Sequence, residues 1–485
     1  MRAEWRMVIF ALILLFAPGD VSGQSLVGLD RGQDRGQVRT SRRIRETDLT
    51  TKLRSILAPE SLVRFNLDLY LADQERETAR RISEGEFEHL IYYILQARRF
   101  TTQAPVEPAL SAFDYVQTMD PAERSRFLDG HDTVVSPPRS ARIRIDDFLS
   151  AVKRNEQPPD ERLEYFRRLV RSTGGDTLRP VRMLHREYAR TMRFLYRKEF
   201  ATRQVGMERR AGFVAQLYRQ RAHSTDTQIE SGFGVDLALA TLGEMEPRPV
   251  LARILVVGPG HDLAPRTGFL DALPPQSFQP FSLIDSVFRH RLARSGQLNL
   301  HCIDINPRVV SHLSRLAGRT VQLELVSGIS ARAGVSFTPE FRDYFASLGT
   351  VIGRRMPFYP VVGTVPLPDG HLTGRIEVGP LVTGLISADR LNIIGERYDP
   401  SPQFDLVVVT NVFPYFETGL ELPLALANLA AMIRPGGYLI HNELSIATAP
   451  IFTVVGLPMI QARTMTIATT ARDPLFDGVA VHRRE

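Results

Sequence analysis

A chain of 485 residues is longer than one ordinary hydrophobic core organises, so two domains with a leader or linkers are expected. Its 43% apolar and 24% charged residues are those of a globular protein. The single cysteine, Cys302, excludes an intrachain disulfide and a Cys-rich metal site. The net charge of +6 is carried almost entirely by arginine, since lysine occurs only at Lys52, Lys153 and Lys198.

The N-terminus reads as a secretory leader. Arg2 and Arg6 precede the apolar run MVIFALILLFA, and Pro18, Gly19 and the small residues VSG follow. That run is too short to span a bilayer, and cleavage after Gly23 fits its layout. Residues 1–23 are therefore expected to be a signal peptide and the chain to be exported. A cytoplasmic protein with its start placed too far upstream is the alternative. No later run is long enough for a membrane span. Residues 24–50, polar and arginine-rich, read as a solvated linker.

Residues 51–220 carry helical periodicity. Phe87, Leu90, Ile91, Ile94 and Leu95 form one stripe at three- and four-residue spacing, and Leu184, Tyr188, Met192 and Leu195 form another. The breaks QAPVEPA, SPPRS, NEQPPDE and STGGD have turn chemistry, so this half reads as an all-helical domain. Between Ala151 and Arg221 stand eighteen basic residues against eight acidic ones. Such a concentration can attract nucleic acid or anionic lipid. It can equally be a solvated helical face with paired arginines, and no nucleic-acid site is assigned from it.

After Arg248 the texture becomes α/β. The apolar runs RILVVG, LNLHCIDI, LNIIGE, FDLVVVTNVF and GYLIHNEL alternate with helical segments. Continuous apolar strands separated by helices imply a doubly wound, mostly parallel sheet buried on both faces. This domain is expected over 221–485, with a β-rich insertion at 318–390 whose Asp369-Gly370 pair suits a hairpin turn.

The stretch ILVVGPGHD joins a buried strand to a glycine turn. None of the three lysines follows a glycine, so a Walker-type phosphate loop is excluded. A dinucleotide fingerprint requires a third glycine opening a helix, and Leu263 occupies that place. A nucleoside ligand without phosphates fits better. Gly258 and Gly260 permit close backbone approach, and Asp304, closing the second strand, can accept hydrogen bonds from both ribose hydroxyls. Asp262 stands where a carboxylate could meet an ammonium group.

The order VVGPGHD, HCIDINPRVV, FDLVVVTNVFPYF and LANLAAMIRPGGYLIHNE resembles the class I S-adenosylmethionine-dependent methyltransferases. The third block, with the Pro-Gly-Gly that follows, locally resembles the chemotaxis-receptor glutamate methyltransferases. The resemblance covers about residues 210–485 and implies S-adenosyl-L-methionine as cofactor. Its contacts are implied at Gly258, Pro259, Gly260, Asp262, Asp304, Ile305, Asn306, Glu396, Asn411 and Val412. The acidic residue this family often carries two positions before its first glycine is Val256 here, which shifts the burden to Asp262 and the backbone. The chemistry implied is direct displacement at the sulfonium methyl, in which the protein positions the acceptor and excludes water. Phe413 and Tyr415 are aromatic candidates to face the sulfonium. Tyr415, His441 and Glu443 are candidates for a catalytic group, the last two equally for a hydrogen-bonded loop anchor. Residues 221–236 read as a lid over the cofactor or as a plain connector.

Asn411 is followed by Val-Phe-Pro-Tyr rather than Pro-Pro-aromatic, which disfavours methylation of nucleic-acid amino groups. Three readings stand: a methyltransferase with an unidentified acceptor, an exported non-catalytic binding protein that keeps the fold, and a nicotinamide-dependent oxidoreductase. The cofactor is made in the cytoplasm, so a leader argues for the second.

Overall fold

The computed structural model describes residues 40–485 apart from 52, 55–65, 132–134, 155–159, 174–177, 269, 295, 332–333, 359–369, 400–402, 417–418, 446–447 and 471–473. The leader at 1–23, the polar stretch up to 39 and Asp369 of the expected hairpin lie outside the described residues. Among the described residues no helix is long and apolar enough to cross a membrane.

The helical half is built on α1 (Leu67–Gln96), whose N-cap Asn66 accepts from Leu69 N–H. Residues Leu90–Gln96 of α1 are buried on every side, as befits a helix at the centre of a bundle. Around it pack α2 (Pro108–Gln117), α3 (Pro121–Leu128), α4 (Arg139–Lys153), α5 (Glu161–Ser172) and α6 (Leu178–Tyr196). Both expected stripes face this core: Leu90, Ile91, Ile94 and Leu95 meet Leu184, Tyr188, Met192 and Leu195, while Phe87 lies at its margin. A turn of π-helix, Arg197–Ala201, follows α6, and α7 (Met207–Gln220) leads towards the second half.

That half centres on an eight-stranded sheet. Its strands are β2 (Arg253–Val257), β3 (Asn299–Asp304), β5 (Ser336–Phe337), β8 (Ile386–Arg390), β10 (Phe404–Val409), β11 (Ile433–His441), β12 (Met459–Thr469) and β13 (Leu475–Arg483). They lie in the order β5-β12-β13-β11-β10-β2-β3-β8. The run from β8 to β11 is parallel, and β13 inserts antiparallel between β11 and β12. Helices α8 (Ser231–Glu244), α9 (Gln279–Arg289), α10 (Pro307–Leu316) and α13 (Glu421–Met432) join or flank the strands, the last three lying in connections between neighbouring parallel strands. The chain leaves β2 for β3 on one side and returns to β10 on the other, so the ends of β2 and β10 form a topological switch point. The doubly wound, mostly parallel sheet and the largely helical region before it are those expected.

Three boundaries differ. The third parallel strand is Ile386–Arg390, whereas LNIIGE is mostly turn. The insertion forms a separate antiparallel sheet of β4 (Val321–Val326), β6 (Gly353–Met356) and β7 (Thr373–Val378), together with α11 (Pro339–Ser347) and α12 (Pro380–Thr383), and its last residues belong to the main sheet. Residues 40–50 are not a solvated linker. There β1 (Ser41–Arg43) pairs antiparallel with β9 (Glu396–Tyr398), and Ile44, 1% exposed, enters a core with Leu255, Val257 and Leu391.

Candidate functional site

The glycine turn and the acidic end of the second strand converge. Gly258 N–H donates to Ile303 O at 2.9 Å, which sets the turn beside Asp304. Gly258 and Gly260 have φ of +65° and +74°, a backbone region that costs glycine no Cβ clash. Asp304 is buried and accepts from Asn306 N–H at 2.7 Å. Burial pushes its carboxyl up to about 7, against the pull of Asn306 N–H and Arg308.

What approaches the turn is the chain itself. A Cβ on Gly260 would lie 2.2 Å from Thr227 Cγ2 and 2.8 Å from Thr225 O, and one on Gly258 would lie 2.7 Å from Val412 Cγ2. The segment 222–230 crosses the turn as a strap, with His261 N–H donating to Thr225 O at 2.7 Å. Asp262, assigned to an ammonium group, instead accepts from Thr227 N–H at 2.6 Å and from its hydroxyl at 3.2 Å. Burial and the neighbouring Asp226 push the Asp262 carboxyl up to about 8, against the pull of its bonds from Thr227. Pro259 is buried and Ile305 half-buried, with no polar side-chain atom to offer a ligand.

Above the strap lies α1. Its Glu86 accepts from Asn306 Nδ2 at 2.7 Å and pairs with Arg308 at 3.1 Å. Arg308 also donates to Thr225 Oγ1 at 2.7 Å and to His261 Nδ1. Because a guanidinium only donates, that bond fixes His261 as the neutral tautomer with its proton on Nε2. Burial, His312 and Arg308 hold His261 well below its ordinary pKa, and its Nε2 has no hydrogen-bond partner among the described residues. Beside it, His89 Nε2 accepts from Thr225 N–H at 3.3 Å while Nδ1 lies 3.2 Å from Asp226. Burial raises Asp226, but His89 and Arg308 outweigh it and hold the carboxyl low.

The other assigned residues separate into two groups. Asn411 and Val412 do stand at the end of β10 beside the glycine turn. Asn411, at φ +58°, receives Asn442 Nδ2 at 3.0 Å and donates its N–H to Asn442 Oδ1 at 2.8 Å, which ties the ends of β10 and β11. Glu396 belongs elsewhere. It lies in β9, accepts from Asn392 N–H at 2.9 Å and faces β1, because the strand assigned to it is a turn. His441 is not placed as a base: its Nε2 meets His482 Nε2 at 2.9 Å, its Nδ1 accepts from Glu443 N–H, and Phe452 stacks on its ring at 4.8 Å. Burial and His482 lower its pKa to about 3. Glu443 is half-buried and its backbone anchors this stack. Phe413 packs into the same group. Tyr415 is covered by the helical half, with Arg81 5.1 Å above its ring and His223 at 5.1 Å, so an internal cation already occupies its face.

Part of the basic excess of 151–221 is spent on backbone carbonyls of the fold. Arg162 donates to Leu263 O and Leu273 O, Arg171 to Val152 O, Arg190 to Glu84 O, and Arg193 to Gly130 O and His131 O. Sequence reasoning missed Glu86, His89, Arg162, Thr225 and Arg308. The available signal was the charged set Glu86, Glu88 and His89 embedded in the apolar stretch of α1, where a solvated face would need an exposed side. A cavity of ≈ 10 Å³ beside β10, lined by Gly232, Gln279 and Val408, holds one water at most. A cleft of ≈ 340 Å³ lies at Arg98–Pro105 of the helical half, away from the glycine turn.

No family model matches the chain, and no curated protein matches it. Among solved structures it is similar to the N-methyltransferase NodS from Bradyrhizobium japonicum in complex with S-adenosyl-L-homocysteine, at 13% identity over 52% of this chain and 85% of that one, with a TM-score of 0.26. It is also similar to a TehB-like S-adenosylmethionine-dependent methyltransferase from Corynebacterium glutamicum, at 12% identity over 51% and 87%, with a TM-score of 0.24. A third is a precorrin-6y C5,15-methyltransferase from Geobacter metallireducens, at 8% identity over 52% and 87%, with a TM-score of 0.25. The likeness lies over the C-terminal half and concerns fold. A likeness to the chemotaxis-receptor enzymes is not among these findings.

Proposed function

We propose that this chain is an exported binding protein that keeps a methyltransferase-type α/β scaffold and uses the ligand edge of the sheet to hold its own helical half. The observation that carries this reading is the strap 225–227 seated on Gly260, locked by Arg308 between Glu86, Thr225 and His261. S-adenosylmethionine does not fit the residues as they stand. Asp262 is bonded to Thr227, Asn306 to Glu86, and the Tyr415 ring to Arg81. The leader expected at 1–23 supports the same reading, because it would carry the chain away from the cofactor's source.

The second reading is methyl transfer to an unidentified acceptor, and the Gly258–Asp304 convergence favours it. It requires the strap and α1 to lift together, which breaks a buried ion pair. Calorimetry with S-adenosylhomocysteine separates the two. The binding-protein reading expects no saturable heat, and a Kd tighter than about 10 μM would overturn it in favour of the enzyme. N-terminal sequencing of the native protein tests export, with an intact Met1 as the contrary outcome.

A further inference from the structure

A serine, a histidine and an aspartate meet away from the glycine turn, at the outer edge of the main sheet. His301 stands midway along β3 and alternates with Leu300 and Cys302, which pack with Val309 and Leu313 of α10. It therefore points to the opposite face, where Tyr398 of β9 and Phe404 flank its ring at 5.5 and 6.4 Å between centroids. His301 is 1% exposed. Parallel pairing sets Ser387 of β8 directly beside it, and His301 Nδ1 lies 2.8 Å from Ser387 Oγ. Ser387 itself is exposed. On the far side of the ring, Nε2 lies 2.6 Å from the Tyr398 hydroxyl and 3.3 Å from the carboxylate of Asp389, two residues along β8.

The protons fix the direction of these bonds. Tyr398 donates to Asp389 at 3.2 Å, so both oxygens near Nε2 present lone pairs to the ring. A neutral imidazole then carries its proton on Nε2 and leaves Nδ1 to accept, and Ser387 supplies the O–H. We infer that Ser387 is a nucleophile for carboxylic esters, with His301 as its general base and Asp389 positioning the ring. Ser387 Oγ bonds to the ester carbonyl carbon while its proton passes to Nδ1. The carbon–oxygen bond to the alcohol breaks, and the alcohol leaves with that proton. Water then attacks the acyl carbon and gives a proton to Nδ1, and Ser387 Oγ leaves with it as the acid is released. The ring is turned the other way round from the serine-protease arrangement, where Nε2 meets the serine, but either nitrogen of a neutral imidazole can be the base. Among the described residues β8 is the last strand of its sheet. Leu300 N–H donates to Leu385 O and Leu391 N–H to Asp304 O, so the odd-numbered residues of this stretch face β3 and Ala388 N–H turns outward. That N–H is a donor for an oxyanion, one residue from the nucleophile. The site lies apart from the glycine turn, so neither binding of S-adenosylhomocysteine nor its absence bears on it.

The test is labelling of the full chain with a fluorophosphonate, in which Ser387 Oγ bonds to phosphorus, fluoride leaves and the serine proton passes to His301. A single adduct is expected, mapped to Ser387 by peptide mass and absent in Ser387→Ala. The native chain should hydrolyse p-nitrophenyl acetate, and full labelling should abolish that activity. His301→Gln should slow labelling about hundredfold. Asp389→Asn, at a side chain 51% exposed, should lower kcat for the ester about tenfold and leave KM where it is, since it acts on the base and not on binding. No adduct at Ser387, adducts spread over several serines, or ester hydrolysis that survives full labelling overturns the site. If His301→Gln fails to fold by circular dichroism, Asp389→Asn decides alone: an unchanged kcat overturns the site.

Discussion

Glu86 on α1 and Asn306 at the N-cap of α10 meet directly across the two halves, Nδ2 donating to Oε1 at 2.7 Å. The same carboxylate pairs with Arg308, each side chain 9% exposed. Removing one partner of a buried pair leaves the other charged and dry. Glu86→Ala is therefore expected to cost about 3–5 kcal/mol, read as a lower urea midpoint. Glu86→Gln keeps an acceptor for Asn306 and loses the charge, so its cost should be smaller, about 1–3 kcal/mol. Equal losses would show that packing, not charge, holds the junction.

Stability should fall as pH rises from 6.5 to 8. Burial raises Asp262 to about 8, with Asp226 adding to the shift, and raises Asp304 and Asp477 to about 7. The folded state thus holds protons that the unfolded state, titrating near 3.8, has already released, and stability is lost as these carboxyls ionise. Histidines act with the opposite sign. Burial lowers His441 to about 3 and His312 to about 4, and holds His261 and His223 well below 6.5, so their contribution is complete above 6.5 and lost as pH falls. The alkaline limb therefore reports buried acids, not the histidines. The unfolding temperature should fall across that window, most steeply at its acid end and levelling off as each carboxyl ionises, and Asp262→Asn, which still accepts from Thr227, should reduce the slope. An unchanged slope in that variant would remove Asp262 from the account.

The strands RILVVG, LNLHCIDI, FDLVVVTNVF and GYLIHNEL were legible because parallel strands buried on both faces leave unbroken apolar runs. Asp304 beside Gly258 was legible from their order. The strand Ile386–Arg390 was not, because at the sheet's edge only Ile386 is fully buried and its exposed residues are polar. Arg434-Pro435-Gly436-Gly437 reads as a turn, yet the chain stays in β11 and absorbs it as a shift in register between Phe404 and Leu406. The contacts that close the glycine turn were least visible. Glu86, His89 and Arg308 look like solvated charges until α1 is brought, from more than two hundred residues away, onto α10.

The C-terminal end of α1 rests on one side chain. Arg144, 0% exposed, donates to the carbonyls of Ile94 at 2.5 Å, Gln103 at 2.8 Å, Ala104 at 3.0 Å and Ala97. Arg144→Met fills similar volume and leaves those acceptors dry, at a cost of about 3 kcal/mol or more. Arg144→Lys should not restore it, since an ammonium is a point donor and cannot span the four carbonyls that the planar fork reaches. Guanidinium unfolding of both variants tests this. Recovery of wild-type stability by lysine would mean that charge alone suffices.

The clasp formed by β1 and β9 makes a prediction about residues that composition alone marks as linker. Ile44 is 1% exposed, and its N–H donates to Gly395 O at 2.8 Å. Arg42 pairs with Asp48 at 2.6 Å, and Arg397 reaches Asp48 from the other strand, so charged neighbours hold the apolar residue in register. Ile44→Ala empties a place among Leu255, Val257 and Leu391, and should cost about 2–4 kcal/mol. The loss falls on the α/β half, so hydrogen exchange should quicken in β2 and β9 and leave Leu90–Gln96 of α1 protected. Uniform quickening through both halves would mean that they unfold as one unit, and no change would return residues 40–50 to the role of a tether.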